Sequence, residues 1–497
     1  MTERVLVIGA GIGGLCTALA LASPQRELIL LERDPAPPAG DAEGAFADWA
    51  RRGVGHLRHS HAFLARLRLI LRDEHPRLLA DLLEAGCREL GFEQTLSDDL
   101  KTGYRPQAVD KDFVVLTSRR TTLELVIRRY VEQLANVEIR SEVFVTGLKL
   151  DPGTPLRVTG VTVEKGPDLR ADLVVDAAGR AAASIEQLTE AGALILEESE
   201  SAGILYFTRH YRLNSGMAEP PRGKAPGAGD LGFLKYGVFP ADSGWFSITV
   251  CVPEIELEMR KAIVSPKTFD SVCTQIPGLA AWVDPACAQG VSRVFGMGDL
   301  RSRWRDMTPG GVPAVLGYVL LGDSLVRTNP LYGRGCAFAA VSAYALRDSL
   351  SETPDPAARA MAYQGRINES LKPYYQAMLA QDRLAIRLAR NTLTPGYRPS
   401  FRARLTKSFL EDGVAIAVRS DVNLPRAALR GFHMLEHPSA WLRRPGNFLR
   451  VLGYWSRGKK ANAAAYPPKL GPGRQEMLTA LGLSPQLDID RLAAAEV

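Results

Sequence analysis

The 497-residue sequence is poor in cysteine, in histidine and in long apolar runs, and each shortage removes a class of protein. Its six cysteines, Cys16, Cys87, Cys251, Cys273, Cys287 and Cys336, are scattered without a Cys-x-x-Cys pair. That spacing argues against a disulfide framework or a zinc-thiolate site and fits reduced thiols in a cytoplasmic protein. One stretch alone, Val5 to Ala22, is apolar enough to raise the question of a membrane span or a signal peptide, and Ala20-Leu21-Ala22 even resembles a cleavage site. Four glycines and Thr17 weaken it as a span, no basic region precedes it, and a second strand-like segment follows. Repeats and low-complexity tracts are lacking. The remaining composition, 46% hydrophobic and 23% charged, is that of a soluble globular chain long enough for two or three structural units.

The net charge of +6 is small and uneven. Arg398 to Lys460 carries 13 Lys/Arg against four Asp/Glu, so the rest of the chain is slightly acidic. The excess is too modest, and too bare of motifs, for nucleic acid. The zone reads as a helical cap with a solvated outer face. A membrane surface, an anionic carrier protein or an acidic substrate is the alternative contact for its mixed basic and apolar residues.

Glycine is where the sequence becomes specific. Val5 to Ile8 reads as a buried parallel strand, and Gly9, Gly11 and Gly14 then occupy the positions of a G-x-G-x-x-G turn, with Gly13 beside them. Such a turn lets the backbone approach a diphosphate and opens a helix, Leu15 to Ala22, whose N-terminus faces it. A second strand, Leu28 to Leu31, ends at Glu32, placed to bind a ribose hydroxyl, with Arg33 next to it near the adenine or a phosphate. Some 300 residues later, Gly317 to Ser324 and Asn329 to Gly335 form a second glycine-rich segment. Asp323 suits a ribityl hydroxyl, and Pro330, Gly333 and Gly335 open a helix able to face the electron-rich side of a flavin. Either segment alone is weak; together, in this order, they indicate an enzyme that binds FAD.

Between them, Gly53 to His61 holds three of the seven histidines, His56, His59 and His61. Without a nearby acidic or cysteine partner at ligand spacing they suggest a loop lining a cofactor, and no metal is expected. Leu64 to Ala85 has helical periodicity, Phe113 to Thr117 reads as a strand, and Thr121 to Leu134 as a helix. From Ala181 to Trp304 the pattern turns to antiparallel strands, among them 203–213, 231–239 and 245–252. Their apolar and aromatic residues suit the wall of a pocket for a hydrophobic substrate, or equally a core. Asn214 to Asp230 is a long Pro/Gly-containing loop and a candidate lid, Val315 to Leu321 a buried strand, and Pro395 to Pro399 a boundary. The organisation expected is α/β: a Rossmann-like nucleotide domain over 1–180 with a helical excursion near 60–110, a β-sheet substrate domain over 181–304, a return to the first domain over 305–390, and a helical C-terminal region over 391–497.

At this point the chain resembles the single-component FAD-dependent monooxygenases of the aromatic-hydroxylase superfamily, most of all the bacterial flavin epoxidases of polyether biosynthesis. The likeness spans about residues 1–350. It is carried by Gly9/Gly11/Gly14 with Glu32, by Gly53 to His61, by Thr117-Ser118-Arg119 with Leu123-Glu124, by Ala171 to Arg180, and by Gly322-Asp323-Ser324 with Asn329 to Gly335. It departs at Gly55-His56, where relatives have Pro-Gln, at Arg334, where Gln or His is usual, and at Ala181 to Ala183, which replace Gly-Ser. The resemblance implies a glutathione-reductase-type FAD domain and a reaction in which a C4a-(hydro)peroxyflavin gives one oxygen atom of O2 to a hydrophobic small molecule. It implies further that Arg119 reaches the FAD and that Arg58, His59 and Arg334 line the flavin or peroxide site. The electron donor stays open between NAD(P)H and a separate flavin reductase, since the middle motif lacks the Asp-Gly pair of nicotinamide-using relatives. Flavin halogenases carry a Trp-x-Trp-x-Ile-Pro segment whose nearest counterpart is Trp245-Phe-Ser-Ile248, and a lipid or isoprenoid reductase is the other rival.

Overall fold

Leu28 to Leu31 and Val5 to Val7 are almost fully excluded from solvent, and two such uninterrupted apolar strands side by side are stable only inside a sheet covered on both faces. The computed structural model, which describes residues 2–96, 98–181, 183–221, 225–394 and 396–485, shows that sheet. Its five strands run in the order Tyr318–Leu320, Leu173–Asp176, Glu3–Ile8, Arg26–Glu32, Val137–Ser141, all parallel. Helices Ile12–Leu21 and Gly335–Glu352 pack on each other. The glycine turn and the second glycine segment therefore lie at the carboxyl edge of two strands that flank Leu173–Asp176, where open α/β sheets bind ligands.

The stretch expected as one strand over 315–321 is broken in two. Val315–Leu316 pairs with Leu156–Val163 in another sheet, and only Tyr318–Leu320 joins the nucleotide sheet. Gly317 makes the break at φ +69°, with the Val158 carbonyl oxygen 2.4 Å from where a Cβ would stand. The helical stretch expected over 64–85 is likewise two helices, Ala65–Glu74 and Pro76–Glu84. Pro76 cannot donate into the first and begins the second.

An antiparallel sheet follows, ordered Ala228–Asp230, Lys235–Pro240, Trp245–Pro253, Ile204–Leu213, Ala288–Gly290. Its alternation decides which side chains are core and which are site. Phe207, Tyr211, Phe246, Ile248, Val250 and Val252 pack against the helices Leu257–Ala262, Pro266–Thr274 and Pro277–Ala280. Most of the aromatic residues that could have walled a pocket are thus core. The opposite face carries Tyr206, Thr208, His210, Ser247 and Thr249, and it looks toward the first sheet's loops.

The loop over 214–230 includes residues 222–224, which lie outside the described set, as does Pro395 at the expected boundary. Pro226 is docked on the helix Pro277–Ala280, where a Cβ on Gly278 would meet its carbonyl oxygen at 2.0 Å. Beyond residue 351 the chain is helical, from Pro356–Ser370 and Lys372–Leu393 to Asn423–Phe432 and Pro445–Ala461. Among the described residues no helix is long and apolar enough to cross a membrane.

Candidate cofactor and substrate site

Gly9 has φ +95°, and a Cβ there would stand 2.9 Å from the Ala177 carbonyl oxygen. Gly14 is tighter still, since a Cβ would lie 1.9 Å from the Gly9 oxygen, while Gly13 lies against Ala177. Glu32 closes the turn: its carboxylate accepts the Ala10 N–H at 2.8 Å and the Asp34 N–H at 3.0 Å. The sequence did not point to Arg51, which approaches this cradle from the other side. Its Nη2 lies 3.3 Å from Glu32, 2.8 Å from Glu124 and 3.6 Å from where a Cβ on Gly11 would stand. Arg51 Nε and Nη1 are buried without a hydrogen-bond partner. Orphaned guanidinium N–H groups beside a bare glycine backbone and a helix N-terminus fit the diphosphate of a dinucleotide. Arg33 is exposed and lies over Gly53 instead.

The second glycine segment is built around Asn329, whose side chain accepts the Leu331 N–H and so shapes the turn Pro330–Tyr332. Gly333 follows at φ +63°, its missing Cβ 3.3 Å from the Ala62 carbonyl oxygen, which brings the histidine-rich loop against this turn. The helix Gly335–Glu352 then starts with no acidic residue in its first turn. Asp323 is half-buried at the same edge, and desolvation raises its pKa against the pull of Arg327, Arg120, Arg303 and Arg180. Of these cations, Arg120 is also paired with Glu124 and Arg180 with Asp299.

The structure places Arg119, which the resemblance implied would reach FAD, and its neighbour Arg120 in different surroundings. Arg119, expected to reach FAD, is held by Asp242 at 2.5 Å and Glu43 at 3.0 Å and stacks on Trp245, so it ties the two sheets together and does not face the cradle. Arg120, one residue on, lies 3.1 Å from Glu124 and 2.8 Å from the Cys336 sulfur in the first turn of the helix Gly335–Glu352. Arg58, expected near the flavin or peroxide, donates to the Phe46 and Ala47 carbonyl oxygens over 2.9–3.2 Å and anchors its loop.

His59 is placed differently. Its Nδ1 shares a 2.9 Å hydrogen bond with Thr208 Oγ1, and a chain of hydroxyls continues through Thr249 and Ser60 to Ser247, each step 2.7 Å. Burial pushes the His59 pKa down to about 4, so the ring is neutral at pH 7. His210 lies nearby on the same sheet face among Phe46, Trp245 and Phe295, and burial pushes it down to about 3. Arg334 is buried at the last residue before the flavin-side helix, between the rings of Tyr332 and Tyr374. Among the described residues no group of three His, Cys, Asp or Glu side chains stands so as to hold a metal ion.

A glycine turn closed by Glu32, a cradle lined by Arg51 and an acid-free helix start at one edge of the parallel sheet fit an FAD-dependent oxidoreductase, an enzyme whose cofactor is FAD. In agreement, residues 4–204 match the FAD dependent oxidoreductase family, DAO. The chain is 29% identical over 386 residues to Protein Rv3254 of Mycobacterium tuberculosis (strain ATCC 25618 / H37Rv), spanning 70% of this chain and 73% of that protein. In fold it is similar to pqsL, a probable FAD-dependent monooxygenase from Pseudomonas aeruginosa, with a TM-score of 0.59 and 19% identity over 78% of this chain and 97% of that one. It is similar also to the flavin-dependent brominase Bmp2, with a TM-score of 0.56 and 15% identity over 92% of this chain and all of that one.

Proposed function

We propose that the protein is an FAD-dependent monooxygenase that adds one oxygen atom of O2 to an apolar organic substrate, by epoxidation or hydroxylation. The observation that carries this reading is the placement of a buried, neutral polar sheet face opposite the start of the helix Gly335–Glu352, with the loop Gly53 to His61 between them. Bound FAD would supply the redox chemistry, a two-electron link between a nicotinamide or a partner reductase and O2. The protein's part is binding, orientation and exclusion of water. Gly9, Gly11, Gly13 and Gly14 with Glu32, Arg51 and Arg120 hold the dinucleotide. Asp323, Pro330, Gly333 and Gly335 would hold the ribityl chain and the ring, and the positive end of the helix Gly335–Glu352 would favour negative charge there. The hydroxyls of Thr208, Thr249, Ser60 and Ser247, ending on His59 Nδ1, form a path along which a proton can be held or passed without a buried charge. No general base is needed if the substrate is an alkene.

Turnover under 18O2 with a panel of apolar alkenes and arenes tests the reading. One labelled oxygen in the product supports it. A product changed only by hydride transfer, with no label, would move the assignment to a dehydrogenase or reductase.

A further inference from the structure

A buried guanidinium without a counterion costs several kcal/mol, so a folded chain pairs it or leaves it for a ligand. Six buried arginines among the described residues, Arg51, Arg119, Arg120, Arg128, Arg305 and Arg426, each hold a carboxylate within 3.1 Å. Arg334 does not. It is 6% exposed, its Nε is buried with no hydrogen-bond partner, and its side chain has no ion pair among the described residues. The neighbouring acids are occupied. Asp382 takes the Tyr332 hydroxyl at 2.9 Å and the Asn329 amide at 2.8 Å, and Glu436 holds Arg430 and Arg444.

What surrounds Arg334 is apolar or neutral. The rings of Tyr374 and Tyr332 lie 5.4 and 5.8 Å from its guanidinium carbon, which offsets part of the cost of burial. His433, 2% exposed, stands within electrostatic reach, stacks on Phe113, and presents a buried Nδ1 that also lacks a partner. Burial holds both groups toward their neutral forms, Arg334 down to about 10 and His433 to about 4, so Arg334 keeps the only charge between them at pH 7. Arg334 is thus an orphaned buried guanidinium at a helix N-terminus free of acids, the makings of an anion site, and His433 Nδ1 is a second orphaned buried group within electrostatic reach.

We infer that Arg334 and His433 bind the carboxylate of the substrate, which places the substrate among apolar, aromatic-bodied carboxylic acids. Calling the ligand a substrate rests on the oxygenase reading above; the pocket itself does not. A planar guanidinium suits a carboxylate held by two parallel hydrogen bonds, with the Tyr332 and Tyr374 rings beside it. The same chemistry could serve the electron-rich pyrimidine edge of the flavin, so the test separates the two anions.

The experiment is equilibrium dialysis of the oxidised FAD-loaded enzyme against benzoate, 2-naphthoate and indole-3-acetate, each paired with its neutral carboxamide, without turnover. At least one acid should bind about tenfold or more tighter than its amide, the discrimination of a charge-assisted hydrogen-bonded pair. Arg334→Gln should erase that preference and keep FAD, and Arg334→Lys, which retains charge without the fork, should fall between. The inference is overturned if no acid binds saturably, if acid and amide bind equally, if the preference survives in Arg334→Gln, or if the variants lose FAD while the acid preference of the loaded enzyme persists. Because no oxygen chemistry is read, failure here leaves the 18O2 result standing, and the reverse holds.

Discussion

The Ser324 hydroxyl donates to the Asp176 carboxylate at 3.1 Å, although the two residues lie 148 positions apart. The Gly179 N–H donates to the same Ser324 oxygen at 2.9 Å, and the Ala178 N–H, the Tyr318 hydroxyl and Ser184 converge on Asp176. This clasp fixes the segment that carries Asp323 against the segment that ends the neighbouring strand. Asp176→Ala leaves these donors unpaired in a buried place, at a cost of about 2–3 kcal/mol. It should also weaken FAD binding by roughly tenfold or more through loss of the Asp323 anchor. Urea denaturation and an FAD fluorescence titration check both; unchanged FAD affinity would mean the clasp does not hold the cofactor segment.

Adjacent arginines give a sharper test. Arg120→Gln should raise the FAD dissociation constant, because Arg120 stands between Glu124 and the start of the flavin-side helix. Arg119→Gln should leave the FAD affinity near that of the parent and lower stability by about 3–5 kcal/mol, since it strands the buried Asp242 carboxylate. The opposite pattern in the same two titrations would restore Arg119 to the cofactor.

Gly335→Ala separates space reserved for the flavin from space needed by the fold. A Cβ at Gly335 meets nothing within 4 Å, and its φ is not in the left-handed region. Alanine is the better helix former by about 0.5–1 kcal/mol, so the apo protein should be as stable as the parent or slightly more so. FAD should bind more weakly. Equal FAD affinity would show that the ring does not approach this residue.

Acid should unfold the protein early. His59, His210 and His433 are held neutral by burial at pKa values of about 4, 3 and 4, against 6.5 when unfolded. Their folded pKa values are depressed, so the unfolded chain binds more protons below pH 6.5. Stability is therefore full above that pH and falls as the pH drops toward 4. Each histidine contributes up to about 1.4 kcal/mol per pH unit. His210→Phe, which meets an aromatic cluster, should flatten that slope by one proton's worth. Denaturant midpoints across this range decide it; a flat profile would mean these rings are protonated in the fold.

The parts legible in the sequence were those governed by local geometry. The glycine turn could be read because Gly9 and Gly14 answer steric demands a few atoms away, and the strands at 204–213 and 245–253 because strand alternation is local. The same alternation, followed one step further, separates Thr208 and Thr249 from Phe207 and Phe246, which the overall apolar texture had merged. The surroundings of Arg119 and Arg120 were half visible: Arg120 and Glu124 sit at helical i, i+4 spacing, whereas the Asp242 that pairs with Arg119 comes from the second sheet. Arg51 had no local sign, because its role depends on Glu32 and Glu124 arriving from two other elements. Arg334 was visible as a departure from its relatives, but its lack of a counterion is a property of the packed chain alone.

The measurement closest to the central claim is rapid mixing of the anaerobically reduced, FAD-loaded enzyme with oxygenated buffer while the flavin spectrum is followed. The account predicts a transient species that is neither reduced nor oxidised flavin, formed before the oxidised spectrum returns and longer-lived when the substrate pocket is shielded from water. Direct, single-step return to oxidised flavin, with apolar carboxylic acids, alkenes and arenes all present, would contradict it.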